Sequence, residues 1–250
     1  MLLTVDIGNS NVSCAAFEGD EVVRGWKMPT RPEQDVSVYV EAVRSELDVG
    51  GVDGAILGSV VRSMTEKLSE VCRVLFGLEP MVSSTRLDLG ICTAWERPET
   101  AGIDRLAAAT AAYRRCRAGA VVVDVGTAIT VDAVSSEGVY LGGAIAPGLR
   151  LALRALSSGT NLLPDVALNP PERAVGTSTP ECIRSGVIYG TAGLVDALAR
   201  RMLTSLTESA RIIGTGGDID RIAPYSETIE EVDPYLVSRG LRVIYDRNHG

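Results

Sequence analysis

An aspartate, a glycine and two threonines follow an apolar run in the middle of the sequence. Residues 120–123 are apolar and mostly β-branched, which predicts a buried strand. Where that strand should turn, the sequence continues with Asp124, Gly126, Thr127 and Thr130. Glycine lets backbone N–H groups approach an anion, threonine hydroxyls donate to phosphate, and a carboxylate can hold a cation against both. The same pattern also occurs in ordinary hairpins, so a phosphate site and a plain turn both remain open.

The pattern occurs a second time, at the start of the chain. Residues 5–12 align without a gap on residues 123–130, which pairs the aspartates and glycines of the two copies. Each copy continues with strand-like runs separated by glycine-containing turns. A repeated supersecondary unit predicts two similar domains. If the two domains face each other across a cleft, their Asp-x-Gly turns could bind one polyphosphate from both sides.

Length and composition fit such a two-domain protein. The chain has 250 residues, of which 46% are hydrophobic and 22% are charged, and we place the domains at residues 1–117 and 118–250. The formal net charge of −8, without a cluster of Lys and Arg, argues against nucleic acid as a partner. The N-terminus lacks the features of a signal peptide, and no apolar stretch is long enough to cross a bilayer. We therefore expect a cytoplasmic protein without membrane association.

The cysteines and the histidine disfavour several chemistries. The five cysteines are scattered without a Cys-x-x-Cys pair, which is typical of thiols in a reducing compartment. The one histidine, His249, is the penultimate residue, where an imidazole lacks the rigid support that a triad or a zinc site requires. A general base in this protein is therefore expected to be a carboxylate.

Asp104 is the carboxylate best placed for that role. It follows Gly102 at the end of a long polar connection, residues 83–103, and precedes a strong helix former, residues 106–115. As a helix N-cap it would contribute about 1 kcal/mol and need no other function. As a base it would stand beside Arg105, which could bind an anion. The residues by themselves leave both interpretations open.

The C-terminal half contains two further features. A helix is predicted from Glu181 to about Leu206, with Gly190 and Gly193 among the small residues of one face. That face could form a dimer interface or pack on the chain's own sheet. Residues 210–218 then read as a strand that ends in a glycine-rich turn, against which a nucleoside could lie.

These motifs together resemble the type III pantothenate kinases, a family of the superfamily that contains acetate and sugar kinases, heat-shock chaperones and actin. The motifs that carry the resemblance, in the family's order, are residues 6–10, 102–105, 124–130, 142–148, 185–186 and 215–217. The resemblance covers essentially the whole chain. It implies an α/β fold of two similar actin-like (ribonuclease H-like) domains, with mixed sheets flanked by helices and a cleft between them.

The resemblance also implies an activity. Members of the family are homodimers that transfer the γ-phosphate of ATP to pantothenate, which gives 4'-phosphopantothenate in the first step of coenzyme A biosynthesis. They use Mg²⁺ or another divalent cation together with a monovalent cation, K⁺ or NH4⁺.

Carried onto this sequence, the resemblance makes Asp104 the catalytic base and assigns Asp6 and Asp124 to cations. The implied phosphate and nucleotide contacts are Asp6, Gly8, Asn9, Ser10, Gly126, Thr127 and Thr130. The implied pantothenate contacts are Trp95, Gly102, Ile103, Asp104, Arg105 and Thr179, the last of which would reach across the dimer interface. Two residues depart from the family pattern, since Trp95 stands where many members carry Tyr and Ser178 where many carry Asn.

Two other functions stay open on the same scaffold, because one fold hosts many activities. The protein could be a kinase of another small hydroxy acid, or a simple ATPase. It could also be a non-catalytic regulator that binds a metabolite. Retention of both aspartate turns and of Asp104 argues against a pure binding protein, which has no need of a base.

Overall fold

A computed structural model describes residues 1–206 and 210–249 of the chain. In chain order the strands are β1 (Leu2–Ile7), β2 (Asn11–Glu18), β3 (Glu21–Pro29), β4 (Gly54–Ser59), β5 (Met81–Val82), β6 (Cys92–Thr93), β7 (Ala120–Val125), β8 (Ala128–Val134), β9 (Val139–Pro147), β10 (Arg211–Thr215) and β11 (Glu231–Val232). The α-helices are α1 (Val36–Glu46), α2 (Arg62–Phe76), α3 (Ile103–Cys116), α4 (Leu149–Ser158), α5 (Thr179–Leu203) and α6 (Leu236–Asn248). Short 3-10 helices cover Val49–Gly51, Pro98–Thr100, Ile219–Arg221 and Ala223–Tyr225.

The chain forms two compact units. The first contains residues 1–111 together with 235–250, and the second contains residues 112–234. Within the described residues, no helix is long and apolar enough to cross a membrane.

The first unit is built on β1, a run of alternating apolar residues of which Leu3, Val5 and Ile7 are buried. This strand pairs antiparallel with β2 and parallel with β4, and the sheet has the order β3-β2-β1-β4-β5. The apolar faces of α1 and α2 share one core with β1, in which Tyr39 and Leu68 are buried. Burial of these side chains is the main stabilising contribution to this unit.

The second unit repeats that arrangement. Strand β7 pairs antiparallel with β8 and parallel with β10, so that its strands run in the order β9-β8-β7-β10-β11. The valines of β7 are buried. Those at 121, 123 and 125 share one core with Leu149 of α4 and with Val187 and Val195 of α5. Both units thus place an Asp-x-Gly turn after the strand at the centre of a mixed sheet. The prediction of an α/β fold with two similar sheets flanked by helices is confirmed.

The C-terminal helix packs with the first unit. Helix α6 fits against β4 where glycines leave room: a Cβ on Gly58 would stand 2.8 Å from Leu241, and one on Gly54 would meet the ring of Tyr245. The predicted domain boundary at residue 117 rests on the sequence repeat, and it stays a prediction. The two compact units are defined by packing, which is a different criterion. Residues 207–209 and 250 of the predicted second domain lie outside the described residues.

Candidate functional site

The first Asp-x-Gly turn joins β1 to β2 and is closed by backbone hydrogen bonds. The Gly8 amide donates to the Asn11 carbonyl at 3.0 Å, and the Thr30 hydroxyl donates to the Gly8 carbonyl at 2.7 Å. Asn9 and Ser10 are exposed at the tip of the turn. The predicted phosphate contacts of this unit are therefore brought together in one rigid and accessible turn.

Asp6 lies one residue before the end of β1 and is half-buried. It is in register with Ser13 on β2 and with Gly58 on β4. Neighbours on adjacent strands lie side by side, so a hydroxyl and a residue without a side chain flank this carboxylate. The strand holds Asp6 near the turn, and Leu241 of α6 fills the room beside Gly58.

The second turn has the same construction. Gly126 and Thr127 connect β7 to β8, and the Gly126 amide donates to the Ala128 carbonyl at 3.0 Å. Asp124 is half-buried and lies in register with Thr130 on β8 and with Thr215 on β10. The predicted residues Asp124, Gly126, Thr127 and Thr130 are thus brought together in the second unit.

Two other backbone segments reach this second turn. The Gly148 amide donates to the Thr127 carbonyl at 3.1 Å, and the Asp218 amide donates to the Val125 carbonyl at 2.9 Å. Gly216 has a φ of 102°, and a Cβ there would stand 2.5 Å from the Val125 carbonyl oxygen. Only glycine fits at such a position. The glycine-rich segment after β10 therefore packs directly on the strand that carries Asp124.

Asp104 is the second residue of α3, within its first turn. The Leu106 amide donates to the Gly102 carbonyl at 3.1 Å, so the capping position belongs to Gly102 and the N-cap interpretation of Asp104 is wrong. The half-buried carboxylate instead accepts the Arg105 amide N–H at 2.9 Å. A negative charge is favoured in the first turn by the helix dipole. Asp104 is therefore oriented locally and kept in an environment that suits an anion.

The neighbours of Asp104 include the other predicted substrate residues of the first unit. Ile103 is buried and anchors the helix start, whereas Arg105 is half-buried. The Arg105 guanidinium carbon lies over the ring of Trp95, 5.6 Å from its centre. A Cβ on Gly102 would stand 2.5 Å from Asp104 Oδ1, so any other residue there would require the carboxylate to move.

Thr179 is the exposed first residue of α5 in the second unit. Ser178 caps this helix, because its hydroxyl accepts the Glu181 amide N–H at 3.4 Å. Glu181 in turn accepts the Thr177 amide N–H at 2.8 Å, and this hydrogen bond is the main reason that the pKa of Glu181 lies below its usual value. This pattern resembles a capping box, but Glu181 accepts the N–H of the residue before the N-cap and not that of Ser178 itself. Ser178 thus fixes the helix end that presents Thr179.

A cluster of charge beside the second turn was not predicted from the sequence. Asp218 is buried, and its carboxylate pairs with Arg221 Nε at 3.1 Å and with Arg150 Nε at 3.6 Å. Arg150 lies in the first turn of α4, two residues after Gly148, and its side chain is largely exposed. No sequence signal distinguishes these arginines from others, because only the fold brings α4 and the segment after β10 together.

The carboxylates suit Mg²⁺ bound mainly by a substrate. Among residues 1–206 and 210–249, no group of three or more His, Cys, Asp or Glu residues could hold a metal ion by itself. Mg²⁺ keeps several waters and is commonly bound through one or two carboxylates together with substrate phosphates. Asp6 and Asp124 each lie beside a glycine turn. A carboxylate next to backbone that can bind phosphate is what this mode of Mg²⁺ binding requires.

Two of the five cysteines, Cys14 and Cys72, are buried core residues. Burial raises the pKa of Cys72 to about 12, and it raises the pKa of Cys14 as well. A thiol with a raised pKa is a poor nucleophile and a poor metal ligand at neutral pH. This agrees with the expectation that these thiols are structural.

Comparison with known proteins identifies a family. The family model described as type III pantothenate kinase matches residues 2–201. A type III pantothenate kinase of Pelobacter propionicus is 37% identical over 99% of this chain and all of its own length. One of Desulfatibacillum aliphaticivorans is 38% identical over 99% of this chain and 98% of its own.

Solved structures share the fold. A conserved Baf family protein from Campylobacter jejuni has a TM-score of 0.64 and 22% identity, with 99% of this chain and 98% of that chain covered. Component A of the (R)-2-hydroxyglutaryl-CoA dehydratase of Acidaminococcus fermentans has a TM-score of 0.58 and 13% identity, with 99% and 97% covered. At these identities the likeness concerns the fold alone. The chain has two aspartate turns on two similar sheets and a half-buried Asp104 at a helix start. Because its sequence also matches family members over their whole length, the chain belongs to the type III pantothenate kinase family.

Proposed function

We propose that this chain transfers the γ-phosphate of ATP to the primary hydroxyl of pantothenate, giving 4'-phosphopantothenate for coenzyme A biosynthesis. The observation that carries the proposal is the first turn of α3. There Asp104 accepts the Arg105 amide N–H, and Gly102 leaves space for its carboxylate. A carboxylate held this firmly beside a cation suits a substrate with a hydroxyl to activate and a carboxylate to bind.

Asp104 acts as the general base. The pantothenate hydroxyl oxygen forms the new bond to the γ-phosphorus, the bond from that phosphorus to the β,γ-bridging oxygen breaks, and ADP leaves with the electron pair. The hydroxyl proton passes to the Asp104 carboxylate. Such transfer depends chiefly on in-line positioning and on charge neutralisation, with the base orienting the nucleophile. The Asp104 carboxylate meets the requirement for a base that orients the nucleophile.

The glycine turns bind the nucleotide phosphates. Gly8, Asn9 and Ser10 present backbone and side-chain donors in the first unit, and Gly126, Thr127 and Thr130 do so in the second. Backbone N–H groups in tight turns make concave sites for anions. Asp6 would hold Mg²⁺ when it is bound with ATP, and the ion would supply neutralisation of phosphate charge.

We also propose the assembly and ion requirements of the family for this chain. Around Gly186, Gly190 and Gly193 of α5 an added Cβ would meet no atom within 4 Å, so this exposed face can accept the same face of a second copy closely. A homodimer would bring Thr179 to a second site. We assign a monovalent cation, K⁺ or NH4⁺, to the region of Asp124. A cytoplasmic location agrees with five cysteines that are free thiols.

The proposal is tested with purified protein, ATP, Mg²⁺ and pantothenate, with K⁺ or Na⁺ as the salt and with the product identified by mass. We expect 4'-phosphopantothenate, formed faster with K⁺, and a molar mass in light scattering of twice the chain. Asp104→Asn should lower kcat about 10²- to 10⁴-fold, as expected for loss of a general base. Full turnover by a folded Asp104→Asn protein would contradict the mechanism, and phosphorylation of another hydroxy acid in preference to pantothenate would contradict the substrate.

A further inference from the structure

We propose that Trp95 is a positioning residue: its ring holds the Arg105 guanidinium, and through it the enzyme selects acceptors that carry a carboxylate. The inference rests on the proposed function, since it concerns how the acceptor of that reaction is recognised. It assigns to Trp95 a role through Arg105, as an alternative to the direct pantothenate contact that the family resemblance implies.

The geometry ties the two side chains together. The guanidinium carbon of Arg105 lies over the Trp95 ring, 5.6 Å from the ring centre, which is within the range of a cation–π interaction. Both residues are half-buried, so the contact is partly shielded from water. Trp95 is itself tethered, because its amide N–H donates to Thr93 Oγ1, at the end of β6, at 3.2 Å. The backbone that carries the ring is therefore restrained, and the half-buried ring has less freedom than an exposed side chain.

A guanidinium restrained in this way can bind a carboxylate. Its N–H donors match the two oxygens of a carboxylate in a bidentate pair. Contact with the ring lowers the number of positions that the guanidinium samples, so less conformational freedom is lost when a carboxylate binds. Indole is the best of the aromatic rings for this contact, so Trp95 gives Arg105 a stronger support than a phenyl ring would.

The same residue also contacts the base. The Arg105 backbone N–H donates to Asp104 Oδ1 at 2.9 Å, and its side chain contacts Trp95. The backbone N–H of Arg105 thus orients the base that acts on the reacting hydroxyl, and its side chain binds the distant carboxylate of the acceptor. Loss of the ring should weaken acceptor binding and leave proton transfer nearly intact.

The kinetic test compares Trp95→Leu, Trp95→Phe and the wild type with two acceptors. For pantothenate, Trp95→Leu should raise KM about three- to tenfold with kcat within about twofold, and Trp95→Phe should restore part of the loss. For pantothenyl alcohol, in which a hydroxyl replaces the carboxylate, KM should be the same in all three proteins. An equal rise in KM for both acceptors would overturn the proposal, because Trp95 would then contact the shared part of the molecule.

A spectroscopic test uses the fact that the chain has two tryptophans. Trp26→Phe leaves Trp95 as the sole indole, and it removes a buried Nε1 that has no hydrogen-bond partner among the described residues. This variant should therefore fold and turn over normally. In the Trp26→Phe background, Arg105→Gln should shift or intensify the Trp95 emission, whereas Arg97→Gln, a control on the same exposed segment, should not. Identical emission in the Arg105→Gln and parent proteins would overturn the proposal.

The two tests separate the failure of this proposal from the failure of the proposed function. Emission reports the contact between Trp95 and Arg105 without any turnover. If the wild type does not phosphorylate pantothenate, the proposed function fails whatever the emission shows. If turnover is normal, while KM is unchanged in the Trp95 variants and the emission is unchanged in Arg105→Gln, only the positioning role is refuted.

Discussion

Gly102→Ala tests how strictly the position of the Asp104 carboxylate depends on the absence of a Cβ at residue 102. A Cβ at this position would stand 2.5 Å from Asp104 Oδ1, about 0.9 Å short of the 3.4 Å at which ordinary contact begins. Asp104 belongs to the first turn of α3 and accepts the Arg105 amide N–H. The cheapest response is rotation of the carboxylate away from that hydrogen bond. The substitution thus displaces the base without removing it.

The expected loss follows from the size of the displacement. A misplacement of about 1 Å in a reacting group costs about 10²-fold in rate, which corresponds to about 2.7 kcal/mol of activation free energy. The effect on folding should be smaller. Replacing the glycine that precedes the helix by alanine costs about 1 kcal/mol at most, or about 2–4 °C in Tm for a chain of this size.

The assay is kcat for pantothenate phosphorylation, with Tm measured on the same preparation. Gly50→Ala is the matched control, because its nearest neighbour is also an aspartate Oδ1 two residues away, that of Asp48, but at 3.8 Å. We expect wild-type kcat from Gly50→Ala and about 1% of it from Gly102→Ala. An unchanged kcat in Gly102→Ala would show that the carboxylate position does not limit the reaction, and the role given to Asp104 would have to be abandoned.

Two other predictions concern the second unit. Burial acts to raise the pKa of Asp196, but hydrogen bonds from the Glu227 and Thr228 amides and from the Ser226 and Thr228 hydroxyls outweigh it and hold the pKa below its ordinary value. The stabilisation is therefore complete above the unfolded pKa near 3.8 and is lost as pH falls through the folded pKa. Asp196→Asn should cost about 2–3 kcal/mol at pH 7 in urea unfolding, and a gap that does not narrow as the pH is lowered below 3.8 would contradict this origin. Arg150→Gln should raise KM for ATP about three- to tenfold, since it removes a cation beside the second turn, whereas Arg154→Gln one helical turn later should not; equal KM values would exclude Arg150 from nucleotide binding.

The local patterns of the sequence were sufficient to predict the strands, the turns and the repeat. Alternating or continuous burial follows from residue type and spacing, and an Asp-x-Gly turn needs only its own few residues to form. The paired copies of this turn thus predict two similar sheets, and the motifs along the whole chain indicate the family. Such features are local in the chain, or repeat within it, and a sequence displays them directly.

The tertiary structure decided what depends on residues far apart in the chain. Helix α6 is amphipathic, but only the glycines of β4 show which sheet it covers. Asp104 could have been an N-cap, and the hydrogen bond from Leu106 to Gly102 shows that it is not. Arg150 and Asp218 meet because α4 and the segment after β10 approach the same turn. Likewise, the contact of Arg105 with Trp95 depends on how a long connection folds back on α3. In each case the deciding quantity is a distance in space, between backbone atoms for the start of α3 and between side chains for the charge and ring contacts, and spacing along the sequence does not contain it.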